Sequence, residues 1–244
     1  MNHFTILMMG HNSRPWIELC LKSALLQDYP NFDIIAIDAK TDDGTYDYLQ
    51  QHVGLNTHLK VIRNEKRKYQ TQNVYEGSFI AKSNSIIVTL DFDDWLPHNK
   101  VLAILDKYYS NNIWMTYGSM MKSGTGSKVW GFGRYSDEVI SNNSFRLDHW
   151  RASHLRTFRR ELIMHIPPSN FKDTDGEWFK AGGDLTFMWP MLEMSGDRFH
   201  FISEPLYVYN EGNENSDFRK VPNEQIRIQE LLRAKSPFKR LEVL

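Results

Sequence analysis

Cysteine is nearly absent from this sequence: Cys20 is the one thiol in 244 residues. An intrachain disulfide is excluded, as is any site built from several thiolates, and a reducing compartment suits such a chain. An excess of charge of one sign is also lacking, with 29 Lys and Arg against 30 Asp and Glu. No overall positive field draws the chain to nucleic acid or anionic lipid. No apolar run approaches the roughly 18 residues that span a bilayer, so no integral membrane segment is expected. The first strand-like run begins at Phe4, with no basic flank and long apolar stretch before it. A signal peptide is therefore not expected either, and the expected location is soluble and cytoplasmic, peripheral to a membrane only through partners. Internal repeats, low-complexity tracts and linkers are missing as well, which points to one compact unit.

What is present is apolar and aromatic: 41% of residues are hydrophobic and 13% aromatic, enough to bury a substantial core. Strand-length apolar runs bounded by turn residues recur at Phe4 to Met9, Phe32 to Ile37, Leu59 to Ile62 and Ser85 to Leu90. Helical patterns lie between them, at Trp16 to Leu26, Thr45 to His52 and Thr71 to Lys82, and a fourth follows at Val101 to Tyr109. Strands alternating with helices imply right-handed crossovers and a mostly parallel sheet covered on both faces, a Rossmann-like α/β/α sandwich. Further on, Trp114 to Ser119 reads as a strand and Gly118 to Gly133 as a glycine-rich loop region. Elements are expected around Leu155 to His165, Leu185 to Met194 and Phe199 to Tyr209, with an amphipathic helix at Pro222 to Leu232. The expected organisation is one domain over 1–244, with a nucleotide-binding half over 1–95 and an acceptor-binding half with a C-terminal helix over 96–244.

Ligands in such sheets bind beyond the carboxyl ends of the strands, which directs attention to the residues after Met9, Ile37 and Leu90. After Leu90 comes Asp91-Phe92-Asp93-Asp94, three carboxylates within four positions. Like charges so close repel unless a cation or hydrogen-bond donors compensate. A hard divalent ion such as Mg²⁺ or Mn²⁺ does so, commonly bridging one or two carboxylates to substrate phosphates. The run equally suits a helix N-terminus, with Asp93 or Asp94 capping a segment that begins near Leu96-Pro97. Locally, the two readings stand level.

The wider pattern resembles a known family. Asp91-Phe92-Asp93-Asp94-Trp95-Leu96 is similar to the Asp-any-Asp motif of inverting glycosyltransferases of the GT-A fold, family 2 in particular. Met8-Met9-Gly10-His11-Asn12 stands where that family has its first strand and nucleotide-contacting turn, and Ile34 to Thr45 resembles its second strand and acidic turn. Asn73 sits where the family has an asparagine opening a helix. Gly183-Asp184-Leu185 resembles its late acidic motif and Glu204 to Tyr209 its closing strand. Within the family, His154-Leu155-Arg156-Thr157-Phe158 and Asn213-Glu214-Asn215-Ser216 look most like bacterial chondroitin- or heparosan-type polymerase domains and related capsule enzymes.

The resemblance implies a nucleotide-sugar donor, with UDP as the expected nucleotide, a glycan or other hydroxyl acceptor, and Mn²⁺ or Mg²⁺ as cofactor. It implies donor contacts from Gly10, His11, Asn12, Asp38, Lys66, Asn73, Asp91 and Phe92, together with Asp93, His154 and Arg156. Metal ligation is expected from Asp91 and Asp93, with Asp94 the most structural of the three aspartates. Asp184 is the expected base that deprotonates the acceptor hydroxyl, and Glu177 the fallback. Trp150 and Trp178, with Glu177, are expected to face the acceptor, and Trp130 could also stack on a sugar ring. Each of these has a plainer reading: Asp38 as a turn residue, Asp184 as a helix cap, Lys66 as a solvated charge and the tryptophans as packing. Three departures from the family pattern stand out. A late histidine completing the metal shell is replaced by Glu211, an asparagine or water; Asp38 is followed by Ala39 instead of a second aspartate; and Gln72 stands where an arginine is usual. Two other classes compete. A sugar nucleotidyltransferase needs a glycine-rich basic loop that Gly10-His11-Asn12-Ser13-Arg14 does not supply. A non-catalytic binding module would keep Asp91 and Asp93 but could dispense with Asp184.

Overall fold

The structure is a computed structural model that describes residues 1–129, 132–213 and 222–244. Four strand–helix repeats open the chain: β1 (His3–Gly10), α1 (Ile17–Leu25), β2 (Phe32–Asp38), α2 (Thr45–His52), β3 (Leu59–Arg63), α3 (Gln70–Ile80), β4 (Ser85–Asp91) and α4 (Val101–Tyr109). The four strands lie parallel in the order β3-β2-β1-β4. The chain continues through β5 (Met115–Lys122), α5 (Asp137–Ser141), β6 (Thr157–Arg159), α6 (Arg160–Met164), α7 (Gly183–Ser195), β7 (Phe199–Tyr209) and α8 (Pro222–Arg233). One sheet of order β3-β2-β1-β4-β6-β5-β7 joins both parts of the chain, and within it only β6 runs against its neighbours.

Residues of β1 alternate between two cores, as the two-residue period of a strand requires. Leu7 and Met9 pack with α3 and α7 on one face; Phe4, Ile6 and Met8 pack with α1 and α4 on the other. All six residues from Phe4 to Met9 are buried. Such a strand reads as a continuous apolar run, which is why the sheet is visible in the sequence.

Two expectations shift. The stretch Leu155 to His165 is not one element: three residues form β6, then the chain turns directly into α6. Helix α1 begins at Ile17, with Trp16 at its N-cap position and Pro15 in the preceding turn. Among the described residues, no helix is long and apolar enough to cross a membrane.

Candidate functional site

The carboxyl ends of β1, β2 and β4 converge on one edge of the sheet, and the turns that leave them are bonded to one another. Asn12 and Asp42 exchange two hydrogen bonds: the Asn12 amide donates to Asp42 Oδ1 (2.8 Å) and the Asp42 N–H to Asn12 Oδ1 (3.1 Å). His11 Nδ1 lies 3.2 Å from the Ala39 carbonyl, and the Ala39 N–H donates to the Gly10 carbonyl. Asp38 is fully buried, takes the Thr41 N–H and pairs with Arg63 Nε at 3.3 Å. Gly10 is required by packing: a Cβ there would sit 2.5 Å from Phe92 Cβ. The Phe92 ring is itself fully buried, so of the residues expected at the donor this one serves the turn from beneath.

The acidic run is not a helix cap. Residues 92–100 are non-helical, and α4 starts only at Val101. Asp94, 1% exposed, accepts the Tyr207 hydroxyl (2.6 Å) and the Asn210 N–H (2.7 Å), which ties the turn to the end of β7. The Trp95 and Val208 backbones bond in both directions alongside. Asp91 receives the Gln70 side-chain amide at both oxygens, at 3.1 and 3.4 Å. Asp93 receives the Asn213 amide at 2.6 Å.

Burial pushes the Asp91 carboxyl up to about 7, reinforced by the negative charge of Asp93 and opposed by Arg156 and Gln70. Burial likewise raises Asp93, and raises Asp94 further with help from both neighbours. Three desolvated carboxylates held this close carry an electrostatic cost that a cation relieves. Asp91 and Asp93 offer the hard oxygen donors that suit Mg²⁺ or Mn²⁺, with diphosphate oxygens and water free to complete the shell. Among the described residues, no cluster of three or more His, Cys, Asp or Glu side chains could hold an ion unaided. At the departure from the family's late histidine, Asn213 is the side chain bonded to Asp93, whereas Glu211 pairs with Lys122 at 2.7 Å.

Arg156 links β6 to the start of α7. Its guanidinium donates to Asp184 Oδ2 (2.8 Å), to the Ala152 carbonyl (3.2 Å) and to His154 Nδ1 (3.4 Å). Each of its three nitrogens has a protein partner and the side chain is buried, so Arg156 holds its neighbours in place. His154 stacks on Tyr207, with ring centres 4.3 Å apart. Burial and the adjacent guanidinium hold its imidazole well below the usual value, so the ring is neutral with Nδ1 accepting and Nε2 carrying the proton.

Asp184 is held at the first turn of α7, where its Oδ1 also takes the Leu185 N–H. Gly182 supplies the left-handed residue before the helix (φ 59°). A side chain on Gly183 would meet Thr71 and Gln70, the residues that open α3. Asp184 is near enough to Asp91 to raise its pKa, so one patch gathers Gln70, Asp91, Asp93, Arg156 and Asp184.

The other expected residues lie outside that patch. Asn73 is buried, accepts from Asn64 (2.8 Å) and donates to the Lys68 carbonyl, closing the loop after β3. Lys66, Glu177 and Trp178 line a cleft of about 750 Å³ beside α3, which Asn73 and Arg63, the partner of Asp38, also line. Trp150 packs edge-on against buried Trp189 of α7, which makes it a core-rim residue. Trp130 and the segment Glu214 to Ser216 lie outside the described residues.

The glycosyl transferase family 2 profile matches residues 5–166. The chain belongs to that family. The match takes in Asp38, Asp91, Asp93 and Arg156 and ends before Asp184. TuaG of Bacillus subtilis (strain 168), named as a teichuronic acid biosynthesis glycosyltransferase, is 26% identical over 104 residues, 40% of this chain and 38% of TuaG. S. aureus TarS 1–349, solved in complex with UDP-GlcNAc, superposes with a TM-score of 0.70 at 15% identity over 94% of this chain and 65% of that one. The mannosyltransferase PcManGT from Pyrobaculum calidifontis, solved with GDP-Man and Mn²⁺, gives 0.62 at 16% over 97% and 66%. At these identities the likeness establishes the fold, which is GT-A. The chain spans 38% of the length of TuaG and 39% of the longer TarS chain.

Three residues take contacts at this site that the sequence did not assign to them. Tyr207 donates to Asp94, accepts the Asp91 N–H at 3.4 Å and stacks on His154. Gln70 and Asn213 each engage one of the aspartates. The closing-strand motif carried a signal for Tyr207 and the missing late histidine one for an asparagine such as Asn213, but for Gln70 only the folded chain brings the partners together.

Proposed function

We propose that this chain transfers a hexose or N-acetylhexosamine, with inversion, from a UDP-sugar to a hydroxyl of a glycan acceptor, with Mn²⁺ or Mg²⁺ bound at Asp91 and Asp93. The observation that carries the reading is the patch itself: Asp91 and Asp93, two half-buried carboxylates whose desolvation Arg156 offsets only in part at Asp91, beside a third carboxylate, Asp184, oriented by Arg156. Relatives solved with UDP-GlcNAc and with GDP-Man and Mn²⁺ support the donor class.

Asp38, the Asn12–Asp42 turn and Arg63 form the polar end that faces the donor base and ribose. A divalent ion at Asp91 and Asp93 would neutralise the charge that develops on the β-phosphate as the nucleoside diphosphate departs. The neutral His154 offers Nε2–H as a hydrogen-bond donor without adding a charge. Asp184 takes the proton from the acceptor hydroxyl. The freed oxygen attacks the anomeric carbon from the face opposite the diphosphate, and the sugar–phosphate bond breaks with its electron pair leaving on the phosphate. Arg156 positions the base: its bond to Oδ2 and the Leu185 N–H at Oδ1 fix the carboxylate plane and leave a lone pair on each oxygen.

Asp184→Asn tests this assignment. The amide cannot accept the proton, so sugar transfer falls to background while UDP affinity in Mn²⁺ is nearly preserved. Loss of UDP binding in that variant would remove Asp184 from the base role.

A further inference from the structure

The cleft beside α3 has a composition that the donor site does not require. Its floor is α3, which starts at the reacting patch, where Gln70 holds Asp91, and runs away from it to Ile80. That path is about 15 Å at 1.5 Å per residue, longer than one sugar ring. One wall is the loop after β3, the other the turn between Lys172 and Trp178.

Cations outnumber carboxylates along this cleft. Arg63, Lys66, Arg67, Lys68 and Lys172 line it, against Glu65, Glu76 and Glu177. Arg63 is committed to Asp38 and Lys68 to Glu76 at 2.6 Å, whereas Lys66, Arg67 and Lys172 form no ion pair among the described residues. The Lys172 ammonium lies 5.4 Å from the centre of the Trp178 ring, placing a positive charge next to a half-buried aromatic surface. The indole is set in place by Tyr75 and Phe171, with ring centres at 5.5 and 6.1 Å. Its turn is preformed: the Asp173 N–H donates to the Glu177 carbonyl, Gly176 takes the left-handed conformation, and Arg227 of α8 bonds the Asp173 carboxylate.

A preset aromatic platform with lysine beside it suits a sugar ring that bears an acidic group. The ring stacks on the indole, and the cations at the rim meet the charge. We infer that this cleft binds the acceptor as an acidic glycan, one carrying carboxylate or phosphate groups along its chain. The inference rests on the transferase reading for the word acceptor, and on the cleft alone for the ligand's charge and ring.

Calorimetric titration of the full chain tests it with three probes of equal length: a tetrasaccharide alternating glucuronic acid and N-acetylglucosamine, a tetramer of glycerol phosphate, and the neutral tetramer of N-acetylglucosamine. Exposed charge contacts are each worth roughly threefold, so two of them give the uronate tetrasaccharide about tenfold tighter binding than the neutral one at low salt. The gap closes near 0.5 M salt, where the screening length is only about 4 Å. Lys172→Glu removes the gap, and Trp178→Ala weakens both sugar tetramers. Tighter binding of glycerol phosphate than of the uronate identifies phosphate as the acidic group, and the reverse identifies carboxylate. Equal affinity for charged and neutral probes overturns the inference, as does a Lys172→Glu variant that keeps the preference. Loss of UDP affinity in Lys172→Glu also overturns it, because the cleft would then belong to the nucleotide. If the acidic probes bind as described while UDP binds neither with nor without Mn²⁺, the cleft assignment stands and the transferase reading fails.

Discussion

Tyr207→Phe separates a structural aspartate from a functional one. The phenol of Tyr207 is fully buried and its hydroxyl gives Asp94 Oδ2 a 2.6 Å hydrogen bond. The substitution keeps the ring and its stacking on His154 but deletes that bond, leaving Oδ2 of a carboxylate that is 1% exposed without a partner. A hydrogen bond to a charged group contributes about 1.5–3 kcal/mol. The longer contact from the Asp91 N–H, 3.4 Å, adds little. The expected loss is thus about 1.5–3 kcal/mol. Urea unfolding followed by circular dichroism measures it, with the slope unchanged from wild type if only stability has moved. Adding Asp94→Asn to the same background completes a cycle whose coupling should exceed about 1 kcal/mol, since the two groups touch. A loss below about 0.5 kcal/mol, within the range of an ordinary surface change, would refute the view that Asp94 anchors the acidic turn to β7.

Arg146 and Glu193 form a buried, two-pronged ion pair between the segment before β6 and α7, with one arm at 2.9 Å. Arg146→Ala strands a carboxylate that is 0% exposed, and thermal or urea unfolding should report a loss of about 3–5 kcal/mol. His154 supplies a pH dependence. Its folded value lies well below 6.5, so below about pH 6.5 the unfolded chain binds more protons and stability falls as pH drops. Relative to His154→Gln, wild type should lose about 1 kcal/mol between pH 6.5 and 5.5; parallel stability curves for the two proteins would contradict the buried neutral imidazole.

Much of the fold was legible because burial on both faces writes itself into the strands. Ile34 to Ile37 and Ser85 to Leu90 are unbroken buried runs, and each ends at a carboxylate on the ligand edge. The segment around Leu155 was harder, because β6 has only three residues and its Arg159 spends its guanidinium on the Ile113 and Tyr109 carbonyls. At the site, the strand-end aspartates announced themselves by position. Their partners did not: Gln70 sits 21 residues from Asp91, and Asn213 sits 120 residues from Asp93. Arg156 was legible as a site residue, but its bond to the carboxylate of Asp184, 28 residues away, was not. Setting aside the helix-cap reading likewise needed the fold, since Leu96 could have begun a helix and α4 waits until Val101.

The central claim is that Asp93 joins a divalent cation to a nucleoside diphosphate. Calorimetric titration of UDP into wild type and Asp93→Asn, each with and without Mn²⁺, tests it most directly. The account predicts Mn²⁺-dependent UDP binding by wild type and at least a roughly tenfold weakening in the variant, about 1.4 kcal/mol. UDP binding that is equal in both proteins and indifferent to Mn²⁺ would contradict it.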